Sequence, residues 1–327
     1  MKYLILILFF LGSHAIRLCG QIILPTPDYL EKANGQLQFQ GAIRMHAQDT
    51  SASFLRLFYE KLIPESDMEW CGEKEHSQIC WEKDTTLPAE GYRILVTPAK
   101  ITVCAADNAG FIYAIQSLRQ WSIRVGNKLI FPCVEITDFP RVKWRSFMLD
   151  SGRQYQKVST IKKYIDMASM LKMNYFHWHL TEGLGWRIEI KRYPLLTRIG
   201  AFVGQGPEQQ GFYSQEEVKE IVGYAADRGI TVVPEIDMPG HAEAALNAYP
   251  GLGCFNIPVK VPQSGFTQNI FCAGKDNTLT FLQNVLDEVC RMFPSVYIHL
   301  GGDEAPKGNW DKCMDCQARI AKEKLKG

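Results

Sequence analysis

The run His299-Leu300-Gly301-Gly302-Asp303-Glu304 places two carboxylates side by side after a glycine pair. Neighbouring residues of a regular strand point to opposite faces, so both acids serve one site only if the backbone leaves the pleat. Gly301 and Gly302 permit that departure. Two carboxylates in one pocket repel, so one holds its proton more tightly while the other stays ionised. Glycoside hydrolysis needs that division of labour: an acid for the leaving oxygen and a charge for the cationic centre. Taken alone, the pair reads equally well as surface acids following a buried strand.

Two further runs raise the case for chemistry. In Pro234-Glu235-Ile236-Asp237-Met238-Pro239-Gly240-His241, Glu235 and Asp237 are two apart and share a strand face. His241 follows the Pro-Gly turn, where an imidazole can orient or charge-couple to a carboxylate. His177-Trp178-His179 puts two imidazoles on one face. Some barrel hydrolases bind zinc with such a pair, so a metal-dependent hydrolase is one alternative. The preferred reading is that both rings hydrogen-bond within the fold, since no further His cluster accompanies them. Cys313-x-x-Cys316 is half of a structural zinc set. No second CxxC or close His pair goes with it, so a disulfide or two thiols is expected there, with no metal and no cofactor. Cys71 with Cys80, or Cys254 with Cys272, could bridge, although sequence does not fix connectivity.

The elements that position these residues follow from periodicity. Tyr92 to Val96 and Ile101 to Ala105 alternate in strand fashion around a Pro98-Ala99-Lys100 turn, and Asn108 to Trp121 carries apolar residues at helical spacing. Residues 21–138 therefore read as a small α+β domain without a catalytic constellation, its acids lying on a solvated surface. Asp138-Phe139-Pro140-Arg141 marks a junction. Beyond it, 139–327 alternates strand and helix: strands at 146–149, 174–180, 230–236 and 296–300, with helices at 158–171, 215–228, 279–293 and 316–324. Ser214 and Glu217 form a capping box, and Gly229 a C-cap. Such alternation calls for a parallel sheet. Asp150 with Arg153, His179 with Glu182, Glu235 with Asp237 and His241, and Asp303 with Glu304 all fall just after strands. In α/β barrels the active site lies at that end.

The 327 residues carry 36 Lys plus Arg against 35 Asp plus Glu, a formal charge of +1. That balance argues against an electrostatic nucleic-acid binder. Met1-Lys2, the apolar run to Leu11 and Ser13-His14-Ala15 have the layout of a secretory signal, so residues 1–20 are expected to direct export to the periplasm or the exterior. Membrane contact would follow only from lipidation at Cys19, which bulky Leu18 and charged Arg17 disfavour.

Together, Arg145 to Arg153 (RSFMLDSGR), Lys172 to Glu189 (KMNYFHWHLTEGLGWRIE), Tyr213 to Cys254 and His299 to Gln317 (HLGGDEAPKGNWDKCMDCQ) resemble the β-N-acetylhexosaminidases of glycoside hydrolase family 20. Glu90 to Gln120 looks like the small domain preceding the barrel in that family. The resemblance implies an α/β fold: an N-terminal α+β domain, then the first four βα units of a TIM barrel. It implies exo-acting release of terminal GlcNAc or GalNAc from glycans or oligosaccharides, with the substrate's own acetamido group attacking the anomeric carbon. It casts Glu304 as general acid and base, Asp303 as the group that orients the acetamido nitrogen, and Arg153 as a ligand of sugar hydroxyls. His241 joins the acid's network with a carboxylate from the end of the second strand, and Asp237 and Glu182 belong to the substrate site. Glu182-Gly183-Leu184 departs from the family's usual Asp-Asp-Gln, and Gln154 from its usual His. A second alternative is a catalytically silent sugar-binding protein.

Four strands are half of the eight in a closed barrel, which takes about 250 residues. The expectation is therefore a chain corresponding to the front of a longer enzyme. Expressed alone it is expected to be poorly soluble and weakly active unless a missing segment or a second chain completes the barrel.

Overall fold

A computed structural model of the chain describes residues 21–49, 51–203, 206–207, 210–259 and 267–325. The export signal and Cys19 lie outside the described residues. No helix among the described residues is long and apolar enough to cross a membrane.

The expected hairpin forms between Tyr92–Val96 and Ile101–Ala105, closed by the Thr97 amide on the Lys100 carbonyl at 2.9 Å. It is the centre of an eight-stranded sheet, not a two-stranded one. In sheet order the strands are Tyr29–Gln38, Lys128–Asp138, Tyr92–Val96, Ile101–Ala105, Ile79–Lys83, Ile43–Ala47 and Met68–Trp70, and Ile123–Val125 also pairs with Lys128–Asp138. The helix Asn108–Trp121 starts where Asp107 accepts the Gly110 amide. It is buried nearly all round, from Phe111 to Leu118, because one side packs on the sheet and the other meets the second unit.

In the second unit Tyr175–His179 is central, parallel to Ser146–Asp150 on one side and Thr231–Glu235 on the other. Phe176 and Trp178 point outward under the helices Val158–Met170, Gln215–Ala226 and Asp276–Met292. The pleat turns His177 and His179 to the opposite, concave face. His179 stands level with Asp150 and with Glu235, so three ionisable groups share one row.

The fourth expected strand, 296–300, is reduced to one bridge, Glu235 with His299. Its main chain still runs beside the third: His299 donates to the Pro234 carbonyl at 3.0 Å, and Ile236 to the His299 carbonyl at 3.1 Å. The cause is Pro234. One residue's N–H and C=O face the same neighbour, so proline accepts from this segment but has no N–H to return. Val296 is 88% exposed and Tyr297 51%, so the outer side of this segment is open. The unit is a partial barrel.

Two other expectations are corrected. Cys71 and Cys80 are free thiols. They lie on opposite sides of the Ile43–Ala47 strand, about 9–10 Å apart at two strand spacings, beyond disulfide reach. Cys254 and Cys272 are also unbridged, because the Cys272 thiol turns to Cys313 and Cys316 instead.

The acids of the first unit are not simply solvated. Asp138 accepts from Lys172 Nζ at 2.8 Å, and Tyr92 OH accepts from the same ammonium at 2.7 Å. Arg145 bonds Glu90 and the Tyr113 hydroxyl, and Arg228 bonds Glu60 and Asp166. These charges bolt the sheet domain to the partial barrel. Removing one partner of a buried pair strands the other. Lys172→Ala is therefore expected to lower unfolding free energy in urea by about 3–5 kcal/mol. Lys172→Ala/Asp138→Ala should lose less than the sum of the single changes; strict additivity would show that the pair is not coupled.

Candidate active site

Glu182 is the hub of the site. It ends a two-residue strand, Thr181–Glu182, folded back on Gly185–Trp186. Its Oε1 meets His241 Nδ1 at 2.9 Å and accepts the Gly183 amide at 2.9 Å. Its Oε2 lies 3.1 Å from Arg153 Nη2 and 3.4 Å from His179 Nε2. Burial opposes the charge on Glu182, but the two imidazoles and the amide overcome it and hold the carboxyl well below its ordinary range.

His241 sits just past the turn with φ +49°, a left-handed backbone that directs its ring inward. Its Nε2 faces Glu304 Oε2 at 3.4 Å and Asp237 Oδ2 at 3.9 Å. The bond to Glu182 pushes its pKa up to about 9 against desolvation, so the ring is an imidazolium at neutral pH. Asp237 goes the other way: burial pushes it up to about 6, although the Gly302 amide and His241 pull it down.

The acid pair departs from the pleat as its glycines predict. Gly301, Gly302 and Glu304 have φ of +64°, +101° and +47°. A Cβ on Gly301 would fall 1.8 Å from Asp237 Oδ1, the same oxygen that accepts the Gly302 amide at 3.2 Å. The Asp237 amide in turn donates to Thr181 Oγ1 at 2.9 Å. Asp303 brings an oxygen within 4.8 Å of both Asp237 and His241. The Glu304 side chain is 45% exposed, open to a substrate.

Arg153 is held by Asp150, through its own amide at 2.9 Å and Nη1 at 2.6 Å. Desolvation lowers its pKa, but Asp150, Glu182 and Glu304 raise it further. Arg153, Glu182, His241, Asp237 and Glu304 thus lie in one contiguous chain of charge contacts, and Asp303 stands beside Asp237 and His241.

His177 and His179 both turn to Glu235, each 2.7 Å from its Oε2, and His299 Nδ1 lies 3.0 Å from its Oε1. Despite burial, the first two imidazoles hold Glu235 well below its ordinary pKa. Against desolvation, Glu182 and Glu235 push His179 up to about 10. The imidazole pair is therefore engaged in a carboxylate network directly beneath the site.

Sequence reasoning missed Arg187. It is fully buried, and its guanidinium donates to the carbonyls of Ser151, Gly152, Leu184, Ala201 and Gly211. It staples the loop that carries Arg153, and burial drops its pKa to about 10. Gly185 makes room for it: a Cβ there would lie 2.0 Å from its Cζ. Thr181 was passed over as well. Its partner, the Asp237 amide, is remote in sequence, so no periodic signal marks it.

The family model described as the glycosyl hydrolase family 20 catalytic domain matches residues 142–327, and family 20 domain 2 matches residues 21–139. The chain belongs to glycosyl hydrolase family 20. A beta-hexosaminidase of Porphyromonas gingivalis is 46% identical over 94% of this family 20 chain and 42% of the relative. A beta-hexosaminidase of Vibrio furnissii is 34% identical over 92% of the chain and 51% of the relative. The crystal structure of a beta-N-acetylhexosaminidase from Bacteroides fragilis superposes with a TM-score of 0.90 at 80% identity, covering 94% of this chain and 61% of that one. The chain spans about half the length of the curated relatives it matches.

Since His241 has a raised pKa, its contribution to stability is complete below about 6.5 and is lost as pH rises through about 9. Glu182 contributes above its ordinary 4.5, and that share is lost on acidification. Glu182→Gln should move the His241 titration from about 9 toward 6.5 in imidazole NMR. An unshifted titration would remove Glu182 as the cause.

Proposed function

We propose that the protein is an exo-acting β-N-acetylhexosaminidase that releases terminal GlcNAc or GalNAc with retention, using the substrate's acetamido group as nucleophile. The reading rests on one observation: an exposed Asp303-Glu304 pair turned by two positive-φ glycines onto the buried Asp237–His241–Glu182 network. The names of the relatives agree with it.

In this mechanism Glu304 gives its proton to the glycosidic oxygen as that bond breaks. The acetamido carbonyl oxygen closes on the anomeric carbon, forming an oxazolinium ring. Such substrate assistance is a recognised exception to the two-carboxylate scheme. Asp303 accepts from the acetamido N–H and balances the growing positive charge. Glu304, now a carboxylate, takes a proton from water as the water opens the ring, which restores enzyme and acetamide. His241, fixed by Glu182, holds the Glu304 carboxylate in place, and Asp237 fixes the turn. Arg153, braced by Asp150 and Glu182, binds hydroxyls of the terminal sugar and favours a chain end. We further propose export to the periplasm or the exterior, where such glycans are met, on the strength of the N-terminal signal pattern.

The sugar-binding alternative separates on Glu304→Gln, assayed in the protein as the cell makes it. Loss of the general acid should cut kcat on an alkyl N-acetylglucosaminide about 10²–10⁴-fold while binding of GlcNAc persists. Substrates lacking the N-acetyl group should not be cut. Equal turnover of wild type and variant, or equal cleavage of a plain glucoside, would overturn the proposal.

A further inference from the structure

We propose that Cys254, Cys272, Cys313 and Cys316 form a tetrathiolate zinc site that ties the segment after the third barrel strand to the segment after the acid pair. The cysteines form two pairs far apart in sequence. Cys313 caps the helix Met314–Glu323, and Cys316 is its third residue. The missing half of the zinc set is the Cys254/Cys272 pair, on the turns flanking another loop. No spacing rule joins the two pairs, but the fold does.

The geometry suits a metal better than bridges. The four sulfurs lie within 4.8 Å of one another. Cys272 is 3.4 Å from Cys316 and 3.7 Å from Cys313, and Cys254 is 4.0 Å from Cys316. A zinc tetrahedron with bonds of about 2.3 Å has sulfur–sulfur edges of about 3.8 Å. Cys272 stands almost equally near two partners, and a disulfide would use only one. Sulfur is the sole donor type in the cluster, which selects zinc over hard oxygen-seeking cations.

The surroundings are built to hold it. Cys272, Cys313 and Cys316 are buried, with Trp310 and Cys254 packed against them. The Gly274 amide faces the Cys316 sulfur, and the Cys316 amide the Cys313 sulfur. This approach requires glycine: a Cβ at Gly274 would lie 2.2 Å from the Cys316 nitrogen. Zinc with four thiolates carries two negative charges. Lys275 sits on the Gly253 carbonyl and Asn256, and Arg319 on the Gly274 carbonyl, placing two cations at its edge. Binding exchanges four thiol protons for one Zn²⁺ and moves no electrons. Trp310 Nε1 bonds the Phe271 carbonyl at 2.9 Å, so the clamp continues along the stretch between Glu304 and the cluster. The metal is structural and takes no part in the reaction.

The test is metal content of the chain purified without chelators, read by elemental mass spectrometry and X-ray absorption. One zinc per chain with a four-sulfur shell at about 2.3 Å is the expected result. A mercurial should release that zinc stoichiometrically. Cys272→Ser and Cys316→Ser should each lose it, and Cys290→Ser should keep it. Should the serine variants fail to fold, the wild-type stoichiometry and sulfur shell still decide. Four zinc-free thiols, or recovery of these cysteines as disulfides in non-reducing peptide mapping, would overturn the assignment.

Discussion

A single contact sets the geometry of the site: the Asp237 carboxylate occupies the place where any other residue at position 301 would carry its Cβ. That absence of a side chain allows the main chain to turn left-handed through Gly301 and Gly302 and delivers both Asp303 and Glu304 to the mouth of the partial barrel. The Gly302 amide then bonds the same carboxylate oxygen. Asp237 is itself held from behind by Thr181. Position, not acid strength alone, makes the tandem carboxylates usable.

Around that turn the charges alternate. Asp150, Arg153, Glu182 and His241 follow one another as anion, cation, anion, cation, and Glu304 meets the end of that row at His241. In a partly buried setting each member fixes the charge of the next, so the network orients side chains as well as stabilising them. Glu182 joins two cations: it reaches His241 with one oxygen and Arg153 with the other. The Glu235 cluster below repeats the device with three imidazoles around one carboxylate.

Much of this was legible in the sequence, for local reasons. The Asn108–Trp121 helix and the hairpin before it rest on periodicity and turn chemistry, which act over a few residues. The acid pair and its glycines were legible because one turn brings them together. The fourth strand was misread because its apolar run looked complete; Pro234, on the neighbouring strand, decides how much of it pairs. The inter-unit ion pairs, Arg187 and the joining of two cysteine pairs escaped for one physical cause. Each depends on contacts between segments tens of residues apart, and composition at either end carries no trace of the other.

The most direct test of the central constraint is turnover by Gly301→Ala, measured in the protein as the cell makes it alongside circular dichroism to verify the fold. The account predicts a folded protein whose kcat/KM on an aryl N-acetylglucosaminide falls at least about 100-fold, because the new methyl displaces Asp237 and swings the acid pair out of line. A folded variant that keeps wild-type turnover would contradict it.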